Sequence, residues 1–365
     1  MRNPGLKILD RYIIRKFLGT YFFAIALIIV IVVVFDWVEK TDDFFELKAP
    51  LNEILFQYYA NFIPFFINKF SGLFTFIAVI FFTSKLAYQT EIVAMLSGGM
   101  SFRRLMWPYF ISSFVIAMLS LGLNLWVIPE TNTKQVAFEA KYLKKRQNIR
   151  YDRHIYRQIE PGTFAYIRGY SGRDQRASFF ALERYDGNRM VASLEAADAK
   201  FDPETGQWTA ERYITREFDE LHNETFTQHT RLDTLINLDA TELGRVNELI
   251  KTMKIGELNQ FIDQQQLKGS NLIGLLEVER HTRYSYPLAT FILTLIGVSL
   301  SSRKMRGGMG LHIGVGITLC FSYILFGRFF EEFAKGGVMN PALAVWIPNI
   351  IYLFVSIYLY RKAPK

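Results

Sequence analysis

A single cysteine, Cys320, occurs in the 365 residues, so no disulfide can form within the chain. Any exported part must therefore fold by burying its own core. No Gly-Lys dipeptide occurs anywhere, which excludes a Walker A loop and the obvious way to hold ATP phosphates. His154, His222, His229, His281 and His312 never fall at a metal-ligand spacing, so no metal site is expected. The most consequential absence is of charge. Phe17–Phe35, Leu105–Pro129, Tyr284–Ser302 and Gly336–Tyr360 contain no Asp, Glu, Lys or Arg. Ile54–Ser84 carries only Lys69, and Gly307–Gly327 only the ionisable His312. A helix needs about 20 mainly apolar residues to cross a hydrocarbon core roughly 30 Å thick. Six such runs, three on each side of a long polar stretch, make this an integral membrane protein with one inserted domain.

The net charge of +8 tempts a nucleic-acid reading, but its distribution argues for topology instead. Alternate short segments hold Arg2, Lys7, Arg11, Arg15, Lys16, Lys85, Arg103, Arg104, Arg303, Lys304, Arg306, Arg361, Lys362 and Lys365. The opposite side's short loops hold only Lys40, Lys48 and Lys335. That bias places both termini in the cytoplasm and the insert outside. Basic residues precede Phe17–Phe35 as in a signal peptide. The run is too long for such a segment and lacks a small-x-small cleavage site, so it reads as a retained span. Ahead of it, Ile8, Leu9, Tyr12, Ile13 and Phe17 at helical spacing suggest a short amphipathic helix in the interface. The stretch Asp36–Glu53 reads as an acidic external loop.

Helical pattern continues through Glu130–Arg146. The period then changes: Tyr151–Ile159, Thr163–Tyr170, Ala177–Tyr185, Met190–Phe201, Trp208–Phe218 and Thr225–Ile236 are short β-branched or aromatic runs separated by turn residues such as Pro161-Gly162 and Asp186-Gly187-Asn188. At least six strands imply an all-β sandwich or barrel-like module. Met253–Leu267 returns to helix, capped by Lys268-Gly269-Ser270, and Asn271–Arg283 leads into span four. The expected domains are 1–130 (interfacial helix and spans one to three), 131–281 (β domain with flanking helices) and 282–365 (spans four to six).

Between spans two and three, Glu91–Ser97 makes a short amphipathic helix stopped by Gly98-Gly99, with Ser101 able to cap the next helix. Pinned between two spans, such a helix can seat in a groove on a cytosolic partner, or it can be a tight reversal shaped by sterics alone. Glu91-Ile92-Val93-Ala94-Met95-Leu96, followed by Gly99-Met100-Ser101 and Arg103, resembles the coupling helix of the lipopolysaccharide-export permeases of the LptF/LptG family. Leu9-Asp10-Arg11-Tyr12-Ile13, Ala199-Lys200-Phe201-Asp202-Pro203-Glu204 with Trp208, Tyr286-Pro287-Leu288-Ala289 and Trp346-Ile347-Pro348-Asn349 match in the same order.

The resemblance implies six transmembrane helices in a 3+3 arrangement with a periplasmic β-jellyroll between spans three and four. It also implies a non-catalytic half-transporter in a Gram-negative inner membrane, without cofactor of its own. Its partners would be a second LptF/LptG-type permease, a cytosolic ABC ATPase dimer holding ATP and Mg²⁺, and periplasmic jellyroll bridge proteins. Its cargo would be lipopolysaccharide, taken from the outer leaflet. Glu91 would engage the ATPase, with Met95, Leu96, Gly99 and Arg103 in the same coupling element, and the details lean toward the LptG side. Asp36, Asp42 and Asp43 stand where such members often carry basic residues, and Gly72 replaces a family proline.

Depth arithmetic adds candidates for lipid contact. At about 1.5 Å per residue, Lys69 lies roughly 24 Å from Lys85 and Arg328 roughly 28 Å from Met309. Both therefore reach the level of Asp36 and Lys40, where anionic lipid groups would sit. Snorkelling, or pairing of Arg328 with Glu331, Glu332 or Asp36, explains the same residues without a ligand. A periplasmic sensor or scaffold anchored by its spans is the rival reading. An intramembrane enzyme would need more converging polar groups than Lys69, Asn124 and His312.

Overall fold

The described part of every charge-free run lies largely within a long helix in the computed structural model, which describes residues 7–143, 152–171, 174–187, 189–203, 205–218, 223–236, 246–267, 270, 272–302 and 308–363. Arg2, Arg303, Lys304, Arg306, Lys365, Tyr151, the Lys268-Gly269 cap and the His312 side chain lie outside the described residues. The helices are α1 (Ile8–Glu46), α2 (Leu51–Tyr88), α3 (Glu91–Ser97), α4 (Phe102–Tyr142), α5 (Val246–Thr252), α6 (Ile255–Leu267), α7 (Ile273–Ser301), α8 (Gly308–Lys335) and α9 (Pro341–Lys362). Six of them, α1, α2, α4, α7, α8 and α9, are long and apolar enough to cross a membrane. The chain divides into two compact units, Met1–Gln135 with Glu277–Lys365, and Val136–Leu276.

Two sequence expectations change here. The interfacial helix and span one are a single unbroken helix, because nothing between Lys7 and Glu46 interrupts the backbone ladder and the range holds no proline. The acidic loop is mostly the last turns of that helix. Only Leu47–Pro50 reverses the chain, with Lys48 in the left-handed region at φ 50° and Pro50 as the extended N-cap of α2. Both α2 and α4 also contain a π-helical turn, at Ile54–Tyr59 and Leu123–Val127, which helical periodicity does not announce.

In the membrane unit α2 is the shared element. One side meets α1 and α4: Phe17 stacks on Phe82 at 5.8 Å, and Phe82 on Tyr109 at 5.4 Å, within a cluster that includes Ile13, Tyr21, Val79 and Leu105. The other side meets α7, α8 and α9 through Phe76, Ile80, Ile292, Leu293, Ile296, Cys320 and Tyr352. Short polar side chains tie the helices together: Tyr21 to Ser71 (2.8 Å), Thr83 to Tyr109 (3.0 Å), Asn68 to Asn124 (2.7 Å), Ser120 to Asn68 (2.6 Å) and Ser113 to Thr294 (2.8 Å).

The second unit holds six antiparallel strands in sequential order: β1 (Asp152–Glu160), β2 (Thr163–Ser171), β3 (Arg176–Asp186), β4 (Arg189–Asp202), β5 (Gln207–Phe218) and β6 (Glu224–Leu235). Each lies within one residue of the run that foretold it. The sheet is one meander, and it curls. Tyr170 on β2 and Trp208 on β5 would stand about 14 Å apart on a flat sheet, yet their rings are 6.2 Å apart. Trp208 is fully buried and also packs on Phe180 and Phe201. The Pro161-Gly162 turn needs its glycine, since φ is +78° and a Cβ would sit 2.7 Å from the Tyr185 carbonyl oxygen. Among the described residues β1 and β6 each pair on one side only.

Glycines set how closely α7 and α8 approach α2. A Cβ on Gly297 would lie 2.8 Å from Val79 Cγ1 and 3.3 Å from its Cβ, and one on Gly316 would lie 2.1 Å from Ile80 Cδ1. Val79 is stiff about χ1, whereas the Ile80 contact is the far end of a longer side chain. Gly297→Ala is therefore expected to lower thermal stability in detergent more than Gly316→Ala, at a cost of about 1–3 kcal/mol. Combining Gly297→Ala with Val79→Ala should recover part of that loss.

Candidate functional site

Chemistry-bearing side chains gather at three places in the membrane unit. The first is α3. Its entry residue Thr90 is left-handed at φ 63° and its exit residue Gly99 sits at φ 86°. Nothing crowds a Cβ at Gly99, so backbone conformation alone calls for glycine there. Ile92 is fully buried in the α1–α2–α4 core, and Met95, Leu96 and Met100 pack partly against it. Val93 stays exposed on the opposite face, as does Arg103 at the start of α4. Glu91 accepts a hydrogen bond from the Tyr12 hydroxyl at 3.0 Å. Beside it, Arg104 donates to both oxygens of Asp10, at 2.7 and 2.5 Å. Ser101 caps α4, accepting from the Arg104 N–H at 3.3 Å.

The second is at the far end of α1. Lys40 donates to Asp36 Oδ1 at 2.6 Å and to the Tyr58 hydroxyl, and its side chain is only 4% exposed. Tyr58 and Tyr59 donate to the two Asp36 oxygens, each at 3.2 Å. Consecutive residues of a regular helix diverge by about 100°. The π turn at Ile54–Tyr59 is what lets both tyrosines reach one carboxylate. With its ammonium also 4.4 Å from the Tyr58 ring centre, Lys40 is enclosed rather than offered to a ligand. Alongside lies an open apolar groove of about 460 Å³, between Val33, Val34 and Trp37 of α1 and Leu55, Phe56 and Ile63 of α2.

The third is a cavity of about 270 Å³ lined by α2, α4, α7, α8 and α9. Lys69 and Arg328, candidates from depth alone, both line it. Asn68, Ser71, Ser120, Ser285, Thr290 and Tyr323 give it a hydrogen-bonding wall. Glu331 is buried there: Arg328 donates to its Oε2 at 3.0 Å and the Tyr286 hydroxyl to its Oε1 at 3.3 Å. The Arg328 side chain is half exposed, at 52%. The Lys69 ammonium stands 5.6 Å from the ring centres of both Phe65 and Phe66. Lys69, Arg328 and Glu331 are the charged residues of its lining. Among the described residues no three His, Cys, Asp or Glu side chains converge as a metal site would require.

The four lipid-contact candidates thus separate into an enclosed pair, Asp36 and Lys40, and a cavity pair, Lys69 and Arg328. Sequence reasoning missed Tyr12, Tyr58, Tyr59, Tyr286 and Asn68. Only the polar spacing along α2, with Asn61, Asn68, Ser71 and Thr75 all buried, carried a signal that a polar seam runs inside the bundle.

A family model described as lipopolysaccharide export system permease LptF/LptG matches residues 11–362. The lipopolysaccharide export system permease protein LptG of Escherichia coli strain K12 is 19% identical over 279 residues, covering 76% of this chain and 77% of that protein. The protein of the same name from Escherichia coli O6:H1 strain CFT073 gives the same figures.

Removing Arg328 leaves Glu331 buried without its cation, whereas Glu331→Gln keeps an acceptor for Tyr286. Arg328→Ala is expected to destabilise by roughly 1–3 kcal/mol, the low end of buried-pair effects because the arginine is half in solvent. Adding Glu331→Gln should restore most of it. A thermal-shift double-mutant cycle in detergent measures the coupling, and simple additivity would show that the pair does not matter.

Proposed function

The chain belongs to the lipopolysaccharide export system permease family LptF/LptG, and from that membership we propose that it is one half of an ATP-driven exporter, paired with a second permease of the same type. Two copies of a cytosolic ATPase, holding ATP and Mg²⁺, supply the work, and this chain performs no covalent chemistry. Both termini face the cytoplasm, as the distribution of Lys and Arg supports, and the β domain faces the periplasm. Residues 1–130 and 282–365 form the membrane portion, and 131–281 the β domain with its flanking helices. The shared name of the two bacterial relatives favours the LptG role.

The match over residues 11–362 carries this reading, and α3 supports its mechanics. A helix rooted in the bundle by Ile92 and exposed at Val93 can pass a push to the spans on either side. Glu91 is the ATPase-engaging acid, with Met95, Leu96, Gly99 and Arg103 shaping and flanking the docking element. Closure of the motors narrows the space between the permeases, and the lipid rises from the outer leaflet. Its anionic groups meet Lys69 and Arg328 on the way. The acyl chains then pass to the β domain, whose β1 or β6 edge accepts a strand of the next jellyroll in the bridge.

Affinity capture from native membranes, wild type beside Glu91→Lys, tests the motor contact. Wild type should retain a P-loop ATPase, and Glu91→Lys should reduce its recovery about tenfold, a loss near 1.4 kcal/mol. Failure of the wild type to retain any ATPase under gentle extraction favours a membrane-anchored sensor or scaffold.

A further inference from the structure

The first turns of α1 grip the α3 loop from 79 to 94 residues away in sequence. Tyr12 donates to Glu91 at 3.0 Å, and Arg104 donates twice to Asp10. Asp10 is almost wholly buried and also accepts the Lys7 backbone N–H at 2.9 Å, so its carboxylate is held from two directions. Charge-assisted, bidentate hydrogen bonds of this kind are about twice as strong as neutral ones and are fixed in direction. They resist a change of angle between α1 and the α3–α4 turn.

From this grip α1 runs unbroken to Glu46. Asp10, Ile13, Phe17, Tyr21 and Ile25 form its buried stripe, and the next buried residues are Lys40 and Phe44. Between Ile25 and Asp36, an interval of about 16 Å, no residue is fully buried, and Ile29 packs partly against the core. Leu27, Val30, Val34 and Phe35 stand exposed along it. At its far end Lys40, Asp36 and the paired tyrosines fasten the helix again. The open groove between Val33–Trp37 and Leu55–Ile63 lies along this loosely packed stretch. So α1 is held firmly at both ends and packed more lightly in between. By contrast α2, the other helix bordering the groove, has buried residues along most of its length.

We propose that α1 is the lever that carries a displacement of α3 to the groove, and that Asp10, Tyr12 and Arg104 are the positioning residues that join lever to coupling helix. This rests on the reading that α3 meets an ATPase, and goes beyond it by naming the element that moves and where the motion is delivered. The covalent links from α3 lead into α2 and α4. Those helices are locked to their neighbours by Asn68, Ser120, Ser113 and Thr83, whereas the middle of α1 is more lightly packed. A push on α3 therefore opens or closes the groove.

The complex is purified with its own ATPase from native membranes, in a Cys320→Ser background, with spin labels on Val33→Cys and Ile63→Cys. The distance across the groove is read with and without ATP plus vanadate. The expected result is a nucleotide-dependent shift that Asp10→Asn and Arg104→Gln abolish and Asp10→Glu retains, with the ATPase recovered from all four proteins. Should Asp10→Asn fail to fold, Tyr12→Phe, which removes one hydroxyl, carries the same test. A shift in Asp10→Asn equal to wild type overturns the lever and leaves the motor reading standing, as does no shift in an ATPase-bound wild type. Loss of the ATPase from Asp10→Asn alone makes the pair a docking element and also overturns it. A wild type without ATPase removes the motor reading and the lever together.

Discussion

Hydrocarbon solvates an apolar helix as well as another helix does, so six greasy helices gain little by touching unless they approach closely or exchange hydrogen bonds. Everything in the membrane unit depends on how α2 meets that constraint. It presents Val79 and Ile80 to Gly297 and Gly316, where backbones come near enough for dispersion to count. It presents Asn68, Ser71 and Thr83 to partners on α1 and α4. Lys69 is the next residue after Asn68, so the hydrogen bonds that lock α2 to α4 also set where that lysine stands on the cavity. Packing and site are therefore one arrangement, and a change at Asn68 or Ser120 would reach the cavity through the helix.

The β unit works in the opposite solvent. Water makes burial of Trp208, Phe180, Phe201 and Tyr170 favourable, and with no cysteine in this unit that aromatic cluster takes the place of a covalent staple. A meander has no crossover to close it, so the sheet curls over its own aromatic side and leaves two edges. Along β6, Phe226 is 72% exposed, and neighbouring residues from Glu224 to Gln228 are exposed too. Among the described residues β6 pairs on one side only, and a long exposed edge strand is a liability in an isolated protein. In a domain proposed to pass cargo to a similar domain, it is the surface a partner strand would complete.

Much of the architecture was legible because solvent writes it into composition. Charge-free runs mark spans, and a two-residue period marks strands, which is why all six strand boundaries fall within one residue. The misses share a cause. Continuity of α1 past Phe17 and through Asp42 is invisible to a polarity argument, since a helix does not stop where the membrane does. The π turns obey no periodicity that apolar spacing reveals. Depth placed Lys40, Lys69 and Arg328 at one level but said nothing of azimuth. Lys40 faces Tyr58 and Phe62, while Lys69 and Arg328, from helices far apart in sequence, face the same cavity.

That difference in azimuth bears on which cation can serve a moving cargo. An anionic amphiphile that must be bound and then released needs a cation able to change partners without leaving a bare charge behind. Lys40 is a poor choice: its side chain is only 4% exposed, so an anion could reach it only by opening the enclosure made by Asp36, Tyr58 and Phe62. Arg328 is better placed. Its side chain is already half exposed, and if it swings toward an anionic headgroup, Glu331 keeps the Tyr286 hydroxyl. The buried carboxylate then acts as a tether that recovers the arginine once the anion departs. On the proposed reading, Lys40 holds the outer end of α1 and Arg328 handles the lipid, so one pair supplies rigidity and the other exchange.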